Sequence, residues 1–175
     1  MFMKIAIVVA VLVAIVLIYA ATKPDTFHVE RTIEVKAPPE KLFALVNDFH
    51  QWETWSPYNK DPAMKKTYSG SASGKGAMYA WEGNKDVGRG EITITDTTPP
   101  KEIVMALHMI APFEGRNHVV LSFDAKGDST KITWALEDQH TYLLKIISTF
   151  INMDKMIGKD FEVGLAKLKA AAEKN

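Results

Sequence analysis

Residues 153–172 read MDKMIGKDFEVGLAKLKAAA. Met153, Met156, Ile157, Phe161, Gly164, Leu165, Leu168 and Ala172 recur at helical spacing, which gathers side chains on one face. Lys155, Lys159, Glu162, Lys167, Lys169 and Glu173 fall mostly on the other face. The segment is therefore a long amphipathic helix whose single apolar stripe must lie against something. Gly158 and Gly164 sit inside it, and each costs about 1 kcal/mol relative to Ala in an exposed helix interior. Their presence predicts close packing along the stripe. Immediately upstream, Tyr142 to Ile151 is nearly all apolar, with Lys145 the only charge. It reads as a separate short helix, with a kink near Asn152.

The surface that receives the helix is encoded upstream. Phe27, Val29, Arg31, Ile33 and Val35 alternate over 27–35, the period of a strand. Ala37-Pro38-Pro39 ends that strand, and a Pro suits the first position of a helix. Leu42, Phe43, Leu45 and Val46 then give a helical stripe, and Phe49, Trp52 and Trp55 predict a second short helix that Pro57 stops. Strand-like runs follow at 65–71, 77–82, 87–96, 102–110, 114–125 and 130–137. They are separated by Gly-, Pro-, Asn- and Asp-containing turns, the pattern of an antiparallel meander. The order is one strand, two short helices, six strands and a long helix. This predicts an α+β fold: a curved antiparallel sheet of about seven strands around the C-terminal helix. A helix that buries one stripe leaves room for a cavity beneath it.

Ile5 to Ala21 runs for seventeen residues without a charge, spanning roughly 26 Å as a helix. That is near the lower limit for crossing a bilayer. Residues 1–22 thus read as a transmembrane anchor or a signal segment, and 23–175 as one domain. A signal peptide would use Lys4 as its positive start, but the run exceeds the usual apolar core and Ile18-Tyr19-Ala20 is a poor cleavage site. The expectation is a single-pass membrane protein held through Ile5–Ala21. The positive-inside bias of Lys4 places the domain on the non-cytoplasmic side.

Lys+Arg and Asp+Glu each total 21, so no basic excess points to nucleic acid. There are no cysteines, which removes thiolate metal sites and cysteine nucleophiles. The five histidines (28, 50, 108, 118 and 140) show no HxxxH or HExxH spacing, so no metal is expected. Nor is there a GxSxG, P-loop or dinucleotide glycine motif, and no cofactor is expected.

Several motifs carry a family resemblance. They are the 37–43 stretch APPEKLF, the 49–57 stretch FHQWETWSP, the 76–84 stretch GAMYAWEGN with Val87-Gly88-Arg89-Gly90, the 129–134 stretch STKITW, and the 158–169 stretch GKDFEVGLAKLK. Together they resemble the SRPBCC superfamily (START-like), specifically its polyketide cyclase/dehydrase-like branch, over nearly everything after Pro24. The resemblance implies a helix-grip fold. It implies less about chemistry, because members bind lipids, hormones and pigments while some catalyse cyclisation or hydrolysis.

The candidate ligand-binding residues are Tyr79, Trp81, Met105, Trp134, Met156 and Phe161: aromatics that grip an apolar ligand and soft methionines that adapt to one. Plain core packing explains the same residue types, as it does Trp52 and Trp55. His108 sits in an apolar strand, with parity opposite to Met105 and Met109, as a general base or a surface group. Glu82, Glu91, Glu114, Asp138 and Asp154 are candidate carboxylates only by exclusion, and no spacing marks a catalytic residue. The leading expectation is a membrane-anchored binding protein for a lipid-like or other apolar small molecule. The alternatives are a cyclase/dehydrase-like or hydrolytic enzyme on an apolar substrate, and a co-chaperone-like interaction module. The sequence specifies no oligomeric state.

Overall fold

A computed structural model describes residues 2–112, 114–139 and 142–174. Helix α1 spans Phe2–Ala21, and among its residues only Ala20 is buried. Strand β1 (Thr26–Val35) leads to α2 (Pro39–Asn47), then to a 3-10 helix at Phe49–Thr54. Strands β2 (Lys65–Gly70), β3 (Ala77–Glu82), β4 (Arg89–Thr98), β5 (Glu102–Ala111), β6 (Gly115–Lys126) and β7 (Ser129–Gln139) follow. The chain closes with α3 (Tyr142–Phe150) and α4 (Met153–Ala172). The seven strands form one antiparallel sheet in the order β1-β7-β6-β5-β4-β3-β2, so the first strand pairs with the last. This is the expected α+β helix-grip architecture.

Local chemistry sets the corners. Pro39 occupies the first turn of α2, where its missing N–H is no loss. Asp48 caps the 3-10 helix by accepting from the His50 amide at 2.9 Å. Phe49, Trp52 and Trp55 recur every third residue, and three residues per turn is the 3-10 period, so the expected second short helix forms as a 3-10 helix. The Trp52 indole donates to the Val46 carbonyl at 2.9 Å and the Trp55 indole to the Leu45 carbonyl at 3.1 Å. Both rings are thereby fixed against α2. β4 begins at Arg89 rather than Val87, because Gly88, at φ 65°, completes the turn. Asn152 separates α3 from α4 and caps α4 by accepting from the Lys155 amide at 2.9 Å.

Register arranges the concave face in rows. Val29, Leu136, Val119, Met105 and Ile94 pair across five strands and all are buried. Helix α2 covers part of this region, with Phe43 edge-on to Phe123 at 6.0 Å. Helix α4 packs chiefly along β1. Trp134 of β7 stacks on Phe161 of α4 at 4.2 Å and 9°.

The two glycines of α4 mark its closest approaches. A Cβ at Gly158 would overlap the Arg31 guanidinium, which is the mobile end of a flexible side chain. A Cβ at Gly164 would lie 2.8 Å from Trp134 and 2.9 Å from Pro57, both rigid rings. Gly164→Ala should therefore cost about 2 kcal/mol through overpacking, outweighing the roughly 1 kcal/mol gained in helix propensity. Chemical denaturation checks this; a stabilised variant would contradict the packing.

Arg31 clamps the start of α4, pairing with Asp154 at 3.1 Å and Glu162 at 2.9 Å. The hydrogen bond from Arg31 holds the Asp154 carboxyl below its ordinary range. A carboxylate with a lowered folded-state pKa stabilises above its unfolded value and loses that contribution as pH falls through the folded one. Acidification below about pH 4 should thus loosen residues 153–161 first. Hydrogen exchange corrected for intrinsic rates reads this directly, and uniform loss of protection across α4 would contradict it.

Candidate functional site

Two residues toward the Thr26/Gln139 end of the sheet, burial of the concave face becomes incomplete. Phe27, Asn117, Leu107, Tyr79 and Tyr68 lie in one row with buried Ile92, and these five are only half-buried. The next row holds Gly115, Met109, Gly90, Trp81 and Lys66, in which only Gly90 is buried. The fully buried Met105 row and this open stretch thus share one concave surface. The open stretch is the candidate site.

Its aromatic wall is built by strand alternation. Tyr79 and Trp81 share a face of β3, and Tyr68 of β2 pairs directly with Tyr79. Tyr68 stacks on Tyr79 at 5.3 Å and 25°, and Tyr79 on Trp81 at 5.7 Å and 26°. His50 stacks on Tyr68 at 4.2 Å. Trp81 lies flat because its neighbour on β4 is Gly90: a Cβ there would come within 2.6 Å of the indole. The Trp81 N–H donates to the Val87 carbonyl at 3.1 Å, which leaves its ring as an apolar surface. Burial, with smaller effects of Tyr68 and Glu53, pushes the Tyr79 hydroxyl up to about 12. Tyr79 is therefore a protonated donor at neutral pH. Burial also raises Tyr68, with Glu53 adding to it.

The expected residues divide between this floor and its surroundings. Tyr79 and Trp81 lie on it. Met105 is fully buried in the adjoining row. Trp134 and Phe161 are buried face to face, and the Trp134 indole N–H has no hydrogen-bond partner among the described residues. An aromatic path of Phe49, Trp52 and Trp55 links Tyr79 to that pair, with centroid separations from 4.9 to 6.0 Å. Met156 is 52% exposed on the flank of α4, away from the floor. Leu107, Phe27 and Gly90 join the site with no sequence signal that marks them as candidates; Asn117 joins them from the Arg116-Asn117-His118 start of its strand, whose sequence reads as a polar rim of the cavity mouth or an exposed strand end.

Of the five candidate carboxylates, Asp138 pairs with Phe27 and Asn117 in the half-buried row, and the other four lie elsewhere. His108 sits on the opposite sheet face, between Glu91 at 3.4 Å and Glu114 at 3.3 Å. Glu82 is exposed, Asp154 is engaged by Arg31, and the Asp138 side chain and His140 lie outside the described residues. Among the described residues no group of His, Asp or Glu is placed to hold a metal ion. A separate open groove of about 550 Å³ runs between the 3-10 helix and the C-terminal half of α4, lined by Glu53, Asn59, Lys167 and Lys174 among others. It is partly polar and opens to solvent, away from the aromatic wall.

The model of the family described as polyketide cyclase / dehydrase and lipid transport matches residues 26–173. The chain belongs to this family. The match begins at the first residue of β1, so α1 stands outside the family domain. Among solved structures, the di-domain ARO/CYC BexL from the BE-7585A biosynthetic pathway aligns with a TM-score of 0.63 at 13% identity, over 90% of this chain and 53% of that one. Ginseng major latex-like protein 151 from Panax ginseng aligns at 0.63 and 10% identity, over 86% and 100%. The Aha1 dimer from Colwellia psychrerythraea aligns at 0.59 and 16% identity, over 84% and 96%. At such identities the likeness establishes the fold alone. No curated protein sequence matches the chain. Within this fold the open floor lies beyond the packed Met105 row, toward the Thr26/Gln139 end of the sheet.

Proposed function

We propose that this family member is a membrane-anchored binding protein for an apolar, lipid-like small molecule. The observation that carries the reading is the uncovered floor of Tyr79, Trp81, Leu107 and Met109 beside a packed core. Each 100 Å² of apolar surface that a ligand and this floor remove from water contributes about 2.5 kcal/mol. Among the described residues, Asn117, the Tyr79 and Tyr68 hydroxyls and Lys66 are polar groups on the floor that can orient a polar end of such a ligand. Tyr68, Tyr79 and Lys66 are the titratable described side chains on the floor. A Tyr held protonated at neutral pH suits ligand anchoring better than general-base work.

Helix α1 supports the anchoring part of the reading. It is long and apolar enough to cross a bilayer, and none of its apolar window is buried in the protein. Lys4 favours the N-terminus in the cytoplasm and the domain on the other side. The test is titration of the full chain, in phosphatidylcholine nanodiscs, with the fluorescent fatty acid cis-parinaric acid. Saturable energy transfer from the tryptophans is expected. Transfer that rises without saturation would argue against a site. For the anchor, the mature chain should keep residues 1–21 and resist alkaline extraction from membranes; a truncated, soluble chain would refute that part.

A further inference from the structure

We infer that α3 lies on the lipid surface as a second membrane contact, turning the open end of the floor toward the bilayer. The inference rests on reading α1 as a membrane helix. Three links fix α3 beside the end of α1 and the short segment that follows it. The Tyr142 hydroxyl donates to the Leu17 carbonyl at 2.9 Å, Lys23 donates to the Ser148 carbonyl at 2.6 Å, and Lys145 pairs with Asp25. Leu17 is four residues from the end of α1, about 6 Å along the axis, so α3 sits level with the end of the apolar run.

The outward face of α3 carries no charge. Its only ionisable lysine, Lys145, is buried against Asp25. Outward stand Tyr142, Leu143 and Phe150, exposed by 49, 61 and 72%, and just beyond them Ile151. A helix facing water places charges there; an apolar face continuous with a bare apolar helix suits the headgroup–acyl boundary. With no outward cation, the contact does not require anionic lipid. The occupant is therefore a neutral bilayer surface.

Topology gives the contact its consequence. β1 begins at Thr26 and β7 ends at Gln139, paired to each other at the edge next to α1 and α3. The half-buried row of Phe27, Asn117 and Leu107 lies toward that same end. An apolar molecule leaving the bilayer would meet the floor without crossing bulk water.

The absence of cysteine makes the test direct. Single variants Leu143→Cys, Phe150→Cys, Val11→Cys and Asp128→Cys of the full chain are labelled with an NBD fluorophore in phosphatidylcholine nanodiscs, with or without doxyl-lipid quencher. Asp128 lies in the β6–β7 turn at the far end of the sheet. Labels at 143 and 150 should emit blue-shifted light and lose most of it to shallow quencher, while the label at 128 does neither. Emission at both 143 and 150 matching that at 128 overturns the inference, whatever the label at 11 reports. The label at 11 reads the anchor by itself, so the two failures are separable.

Discussion

Trp55→Ala is expected to destabilise the domain by about 4 kcal/mol, within the range for deleting a large buried aromatic. Trp55 is fully buried and heads the large side chains with no exposed surface. Its ring lies 5.0 Å from Trp52 and 5.7 Å from Trp134, so it joins the 3-10 corner to the sheet. Truncation opens a cavity between rigid rings that cannot collapse into it. It also strands the Leu45 carbonyl, which now accepts from the indole at 3.1 Å. Against a total stability of roughly 5–15 kcal/mol, such a loss leaves little margin. The denaturant midpoint reports it, and a shift worth under about 1 kcal/mol would show that the corner does not hold the fold. Trp55→Phe should fall between, keeping ring volume while losing the hydrogen bond.

The largest functional effect belongs to Trp81→Ala. The indole lies on Gly90 and stacks with Tyr79, exposing its apolar face on the floor. Removing roughly 80 Å² of ligand contact forfeits about 2 kcal/mol, or about 30-fold in affinity. The fold should survive, because the ring is half-buried and its neighbours are anchored independently. Met156→Ala is the matched control: Met156 shares the soft chemistry but stands on the exposed flank of α4, and affinity should not change. Parinaric acid titration of both variants decides the matter. Equal losses in the two would place the ligand outside the floor.

Much of the architecture is legible because it rests on period. The alternation of β1 and the stripe of α4 follow from elementary geometry, as does the Asn152 break. Met156 shows how finely that arithmetic must be applied. It lies five residues before Phe161, about 140° around the helix, and the structure turns it outward while Ile157 and Phe161 face in. The open floor does not follow from period. Nothing near Trp81 in sequence shows that Gly90 will lie beneath it, because strand register is decided by long-range pairing. Asn117 meets Leu107 for the same reason. The Lys145–Asp25 pair joins residues 120 apart in sequence. An apolar run with one lysine shows a helix but not what neutralises its charge. Trp134 and Phe161 each look like floor residues when read alone. Stacked on each other, they close the concave face at α4 and leave Tyr79 and Trp81 on its open part.

Native mass spectrometry of the full chain, released from membranes in mild detergent, tests most directly whether the open floor holds an apolar molecule. The wild type should carry a non-covalent adduct of lipid-like mass, and a Leu107→Asp variant, with a carboxylate set into the floor, should fly empty. Adduct-free protein in both, or an adduct that persists undiminished in the variant, would contradict the account.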